Sequence, residues 1–198
     1  MMNTYTLTYT NAVPDWDSIP ILSVNEVQWL PDAGIRMEAQ LCYDEEKLYL
    51  RERAWERLIR AEHSSPLAAV CEDSCMEFFF CPEGEERYIN FECNPKGCLY
   101  LGFGCGRNNA VRLLPPTELF SIQTAILDDG WELRYALPLS FLRLFYPSLR
   151  FESGLRLRAN FYKCGDKTVQ PHYLAWNPLT AKTPDFHRPE DFGLLLFS

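Results

Sequence analysis

Turn-forming residues interrupt this chain about every ten residues, and short runs of alternating apolar and polar side chains fill the gaps. The clearest breaks are Val13-Pro14-Asp15, Asp44-Glu45-Glu46, Pro82-Glu83-Gly84-Glu85, Asn94-Pro95-Lys96-Gly97 and Asp128-Asp129-Gly130. Strands are predicted over 5–9, 35–42, 47–56, 74–81, 88–93, 98–103, 120–127, 131–137, 155–162, 173–176 and 194–197. Two pairs, 35–42 with 47–56 and 120–127 with 131–137, read as hairpins. The one amphipathic helix pattern is short, at 140–145, and Pro147 closes it. Such a pattern predicts an all-β chain: a two-sheet antiparallel β-sandwich of jelly-roll type, with one short helix. No repeat or low-complexity linker divides it, so 1–198 is expected to be a single domain.

Charge and composition exclude several functions. Asp and Glu outnumber Lys and Arg by 27 to 19, for a net charge of -8, which repels phosphate backbones and argues against nucleic acid. No apolar run reaches the ~18 residues of a membrane-spanning helix. The opening MMNTYTLTYTN has no charged start and no long apolar run, so no signal peptide is expected. Eight cysteines invite a disulfide framework, but Cys42 and Cys93 fall inside apolar strand patterns, where a thiol packs as a small hydrophobe. Free thiols are the expectation, which favours a reducing, cytoplasmic setting. Cys71-x3-Cys75 lacks a matching second half, so neither zinc nor any other metal cofactor is expected from local spacing.

The polar residues on predicted strands carry the functional signal. Alternation puts Tyr88, Asn90, Glu92 and Asn94 on one strand face, opposite Ile89, Phe91 and Cys93. It puts Arg156, Arg158, Asn160 and Tyr162 opposite Leu157, Ala159 and Phe161. Such faces are either solvated outer surfaces with cross-strand ion pairs or a concave sheet offering planar hydrogen-bonding groups. The second arrangement suits sugars, whose hydroxyls need fixed partners and whose C–H faces stack on aromatic rings. A carboxylate pair such as Glu77 with Glu92 is the alternative, since glycosidases work through two carboxylates. No phosphate loop, nucleophile elbow or zinc-protease motif is present, and Gly102-Phe103-Gly104-Cys105-Gly106 reads as a turn. His63 reads as a loop residue, while His172 and His187, near Trp176 and Phe186, are candidates for a ligand rim. Trp16, Trp29, Trp55 and Trp131 read as core or stapling residues.

Five segments, in order along the chain, carry a family pattern. They are Asp44 to Leu50, Glu72 to Phe79, Tyr88 to Gly97, Gly130-Trp131-Glu132 through Ala136-Leu137-Pro138, and Pro184 to Gly193. Together they resemble the carbohydrate-binding module family 9-like group of the DOMON-like sandwiches. The resemblance implies a non-catalytic module that holds a sugar on one sheet face, often at its reducing end. In sugar-binding members two tryptophans clamp the sugar; here the first position falls at Cys71, a departure, and the second at Phe186. Polar contacts are implied at Asn90, Glu92, Arg158 and Asn160, with Tyr162 on the same face as the last two. Phe186, His187 and Trp176 would form an aromatic wall, with Glu72, Asp73 and Arg188 at its rim. The family also admits structural calcium, although Asp44-Glu45-Glu46 is no defined calcium loop. Two rivals stay open: a saccharide-active enzyme, or a part of one, acting through Glu77 and Glu92; and a domain that binds a protein or another small ligand. The oligomeric state is not written in the sequence.

Overall fold

The computed structural model describes residues 2–198. Fourteen strands form one continuous curled sheet. They are β1 (Thr4–Tyr9), β2 (Leu22–Val24), β3 (Glu26–Val27), β4 (Arg36–Tyr43), β5 (Lys47–Trp55), β6 (Cys75–Pro82) and β7 (Tyr88–Cys93). After them come β8 (Leu99–Gly104), β9 (Ala110–Arg112), β10 (Gln123–Leu127), β11 (Gly130–Pro138), β12 (Arg156–Cys164), β13 (Tyr173–Ala175) and β14 (Gly193–Phe197). The main path runs β10-β11-β5-β4-β1-β14-β12-β6-β7-β8-β9, with β2 on β4 and the pair β13–β3 beside β12. The sheet curls far enough for Phe91 on β7 to stack on Tyr135 of β11, ring centroids 5.1 Å apart, although six strands separate them along the path.

The all-β expectation and both hairpins are as the turn pattern foretold. A purely antiparallel sheet is not: β1 pairs in parallel with both β14 and β4. Parallel neighbours are not joined by a tight turn, so no local signal announces them. The predicted helix shrinks to one turn, α1 (Leu139–Leu142). Leu139, Phe141 and Leu142 are all buried there, so packing rather than helical periodicity fixes this turn.

The two halves of the path differ. On β5, Leu48, Leu50, Glu52 and Ala54 point inward, while Arg51 and Arg53 pair outside with Glu132 and Asp129. That is the ordinary half-solvated sheet. On β6, β7 and the second half of β12 both faces are buried. The chain from Gly165 to Phe192 folds over the outer face, and the candidate site lies beneath this cover.

Candidate functional site

Strand register builds the site. Tyr162, Glu77 and Glu92 stand in one row across β12, β6 and β7. Residues directly opposite on antiparallel strands have Cβ atoms about 4.5–5.5 Å apart, so the two carboxyl groups are neighbours. Both are buried. They form part of the lining of a cleft of about 500 Å3, mouth included, whose walls hold Trp29, Tyr173, Phe186, His187, Arg107 and Asp166.

Burial sets the electrostatics. It raises Glu92 to about 7, against the lowering pull of a hydrogen bond from Asn90. Glu77 is raised further, first by burial and then by the charge of Glu92. Its one side-chain partner is the Cys164 thiol, 3.0 Å from Oε1. Arg107 stands at the rim, more than half exposed and paired with Asp185 at 3.3 Å. Burial, helped by Arg107, lowers His187 to about 4, so the ring is neutral. The Tyr88 hydroxyl lies 2.8 Å from His187 Nδ1; with Nδ1 as acceptor, the ring proton is assigned to Nε2.

The aromatic wall has three rings. Phe186 stacks on Tyr162 at 4.1 Å and meets Trp29 at 5.5 Å; Tyr173 meets Trp29 edge-on at 5.4 Å. Trp29 sits at the centre of a three-residue turn closed by Leu30 N–H to the Gln28 carbonyl, with φ at 55°. A bulky residue in that region stores about 1–3 kcal/mol of strain, which the indole N–H to the Ala181 carbonyl (2.8 Å) helps to hold.

Of the residues singled out in the sequence, Glu92, Phe186 and His187 line the cleft. Asn90 and Tyr162 stand behind it: Asn90 Nδ2 donates to Glu92 (2.8 Å), and the Tyr162 hydroxyl donates to the Phe186 carbonyl (3.1 Å). Asn90 lies under Gly102, where any Cβ would meet its Oδ1 at 2.4 Å. Arg158, Asn160 and Arg188 brace the cover. Arg158 donates to the Pro189 carbonyl, Asn160 exchanges hydrogen bonds with the Asn177 backbone, and Arg188 pairs with Glu190 and Asp191. Burial would raise Asp191, but donors from Thr180 and Arg188 outweigh it and hold the carboxylate low. Glu72 pairs with His63 and Lys167, and buried Asp73 accepts from the Glu62 and His63 N–H groups and from Asn94. Trp176 is buried edge-on to Phe161, outside the cleft lining.

Several cleft residues were read otherwise in the sequence or not read at all. Trp29 packs against the core, as a stapling residue should, and is also a wall of the cleft. Its position is set by pairing of the Gln28 N–H with the Tyr173 carbonyl, a contact no sequence period encodes. Cys71 does line the cleft, beside Asp166, whose N–H donates to the Cys71 carbonyl. Arg107, Asp166 and Asp185 come from loops and carry no strand signal. His172, a rim candidate, is instead buried against Lys163, its Nε2 2.8 Å from Nζ.

The fold and cleft together define a β-rich module with an aromatic-walled pocket over buried carboxyl groups. Residues 9–197 match the model of carbohydrate-binding family 9, and the chain belongs to that family. A proposed carbohydrate-binding protein from Bacteroides uniformis is similar over 100% of both chains, with 27% identity and a TM-score of 0.87. A family 9 module from Caldicellulosiruptor kristjanssonii, solved with glucose, shares 12% identity and a TM-score of 0.70 over 99% of this chain and 96% of its own. The same kind of module solved with cellotriose gives 13% identity and a TM-score of 0.67, over 98% and 93%. At those identities the last two establish the fold alone. No curated protein sequence is similar enough to count as a match.

Proposed function

We propose that the cleft binds a carbohydrate without turning it over, taking one sugar residue at the end of a chain. The observation that carries this reading is the carboxyl pair Glu77–Glu92 lying under the rings of Trp29, Tyr173 and Phe186. Carboxyl groups that keep part of their protons can both donate to and accept from hydroxyls, and the rings offer faces for C–H stacking. Trp29 and Phe186, in contact at 5.5 Å, would form one stacking wall for the sugar rather than two jaws of a clamp. A short cleft rather than a strand-long groove suits an end-on ligand, such as a reducing end. Asn90 and Tyr162 would position Glu92 and Phe186, and Arg158, Asn160 and Arg188 would keep the cover in register.

The reading needs no cofactor. It takes residues 1–198 as one domain, with the two halves of the sheet, joined at β1, as the layers of a sandwich; the Phe91–Tyr135 stack across them supports this. The eight unpaired cysteines suit a reducing compartment. Saturation-transfer NMR with free glucose, cellobiose and xylobiose tests the function. Transfer to one sugar class by the wild type, lost in Phe186→Ala, is the expected result. No transfer to any sugar, or equal transfer in both proteins, would overturn it. Hydrolysis of a glycoside panel that Glu92→Gln abolishes would replace binding with catalysis.

A further inference from the structure

The floor of the cleft holds a second constellation. Cys164 and Cys75 are direct cross-strand partners on β12 and β6, and Glu77 lies two residues along β6 on the same face. One ligating atom from each of Cys75, Glu77 and Cys164 lies within 4.8 Å of the others. All three side chains are buried. The Cys164 thiol donates to Glu77 Oε1 at 3.0 Å. Ligands around a tetrahedral zinc stand about 3.3–3.8 Å from one another, given bonds of ~2.3 Å to sulfur and ~2.0 Å to oxygen, so only small side-chain shifts separate this cluster from a metal-binding geometry.

A charge argument points the same way. Glu77 and Glu92 are adjacent buried carboxyl groups, yet the one cation lining their cleft, Arg107, is at the rim and already paired with Asp185. The buried ammonium nearest in sequence, Lys163, lies on the opposite sheet face and is paired with Glu56 at 3.0 Å. Cys164, Cys71 and Glu77 all line the cleft, which gives an ion a path from solvent.

We propose that Cys75, Glu77 and Cys164 bind one zinc ion at the cleft floor, with a water from the cleft as fourth ligand. Two soft sulfurs and one hard oxygen fit a borderline ion; calcium and magnesium would demand six or more oxygens. Binding forms two Zn–S bonds and one Zn–O bond to Glu77, while the hydrated ion keeps one water and releases its others to solvent. It breaks two S–H bonds and one carboxyl O–H bond, and the three protons pass to solvent, leaving the site with one net negative charge. Local spacing could not disclose this site, because Cys164 is 89 residues from Cys75 and only strand register joins them. The proposal does not depend on the cleft taking a sugar.

The test uses the full chain, stripped of metal and kept reduced with a phosphine. Zinc chloride is titrated against a chromophoric chelator, and cobalt(II) alone is followed through its thiolate charge-transfer and tetrahedral ligand-field bands. One ion per chain is expected, with about three protons released in weak buffer. Cys75→Ser and Cys164→Ser should each lose more affinity than the about 10- to 100-fold that a supporting residue costs. Glu77→Gln keeps both thiols and should weaken zinc while retaining the cobalt–thiolate band. Cys105→Ser, at an exposed position, should leave binding unchanged. Far-UV circular dichroism checks that each variant is folded. A reduced wild type that takes up no stoichiometric ion, or folded Cys75→Ser and Cys164→Ser variants that bind as it does, would overturn the proposal.

Discussion

The sheet formed by β12, β6 and β7 carries two buried polar clusters on opposite faces, and they are built on different principles. On one face Lys163 Nζ meets Glu56 (3.0 Å), His172 Nε2 (2.8 Å) and the Cys164 carbonyl (2.9 Å), while Ser74 donates to the other Glu56 oxygen (2.8 Å). His172 Nδ1 faces the Gln170 carbonyl, so Nδ1 carries the ring proton and Nε2 accepts from the ammonium. Burial, then the charge of Lys163, lowers His172 to about 4. Every charge there has a counter-charge or a dipole. On the other face Glu77 and Glu92 have neither an ammonium nor a guanidinium in contact, and a cleft opens above them. A closed network holds structure; an open one leaves hydrogen-bonding capacity for a ligand.

The sharpest contrast comes from breaking each cluster in turn. Lys163→Met leaves Glu56 buried and unpaired and should cost about 3–5 kcal/mol in denaturant unfolding. Glu77→Gln and Glu92→Gln should cost far less in the same measurement, and at pH 8 should be neutral or stabilising. If Glu77→Gln proved as costly as Lys163→Met, the two clusters would not differ in kind. Sugar affinity should sort the variants the other way. Glu92→Gln should lose about 1.5 kcal/mol of binding, roughly tenfold, as expected for a hydrogen bond to a charged group. Calorimetric titration with the sugar found by NMR checks this.

Another buried acid, Glu52, lies in the core against the Tyr135 hydroxyl (2.8 Å), with Cys93 nearby, and burial raises it to about 8. From its unfolded value of 4.5 up to about 8 the folded chain binds the extra proton, so stability falls as pH rises through that window. His172 and His187, lowered from 6.5 to about 4, act oppositely, adding stability as pH rises from 4 to 6.5. Above 6.5 the histidines no longer contribute. Melting temperatures of the metal-free protein should therefore decline between pH 6.5 and 8, and Glu52→Gln should flatten the decline. The smallest effect belongs to the surface: Asp129→Asn removes the exposed pair with Arg53 (3.0 Å) and should cost less than about 1 kcal/mol.

These contrasts also mark how far the sequence could be read. Strand positions and hairpins followed from alternation and turn residues, because both are local. The parallel pairing of β1 with β14 joins the two ends of the chain and leaves no local trace. Glu92, Phe186 and His187 were legible as cleft residues, since alternation and the family pattern mark their places. Trp29 and Asp166 were not, because backbone pairings with distant segments bring them there, and Arg107 reaches the cleft from the β8–β9 turn, where only its side chain pairs with distant Asp185. Asn94 shows why a polar strand face is ambiguous: it reads as solvated but is fully buried, donating to Asp73 and to the His63 carbonyl.

The most direct measurement is a heteronuclear NMR titration of the five tryptophan indole N–H signals with the sugar that shows transfer. Trp29 lines the cleft, whereas Trp131 is fully buried, Trp176 lies outside the lining, and Trp55 sits under Arg36 and Arg53 on another face. A shift of the Trp29 signal that saturates with sugar, while Trp55 and Trp131 stay still, is the predicted result. Movement of Trp55 with Trp29 unchanged would place binding elsewhere and contradict the assignment of the cleft.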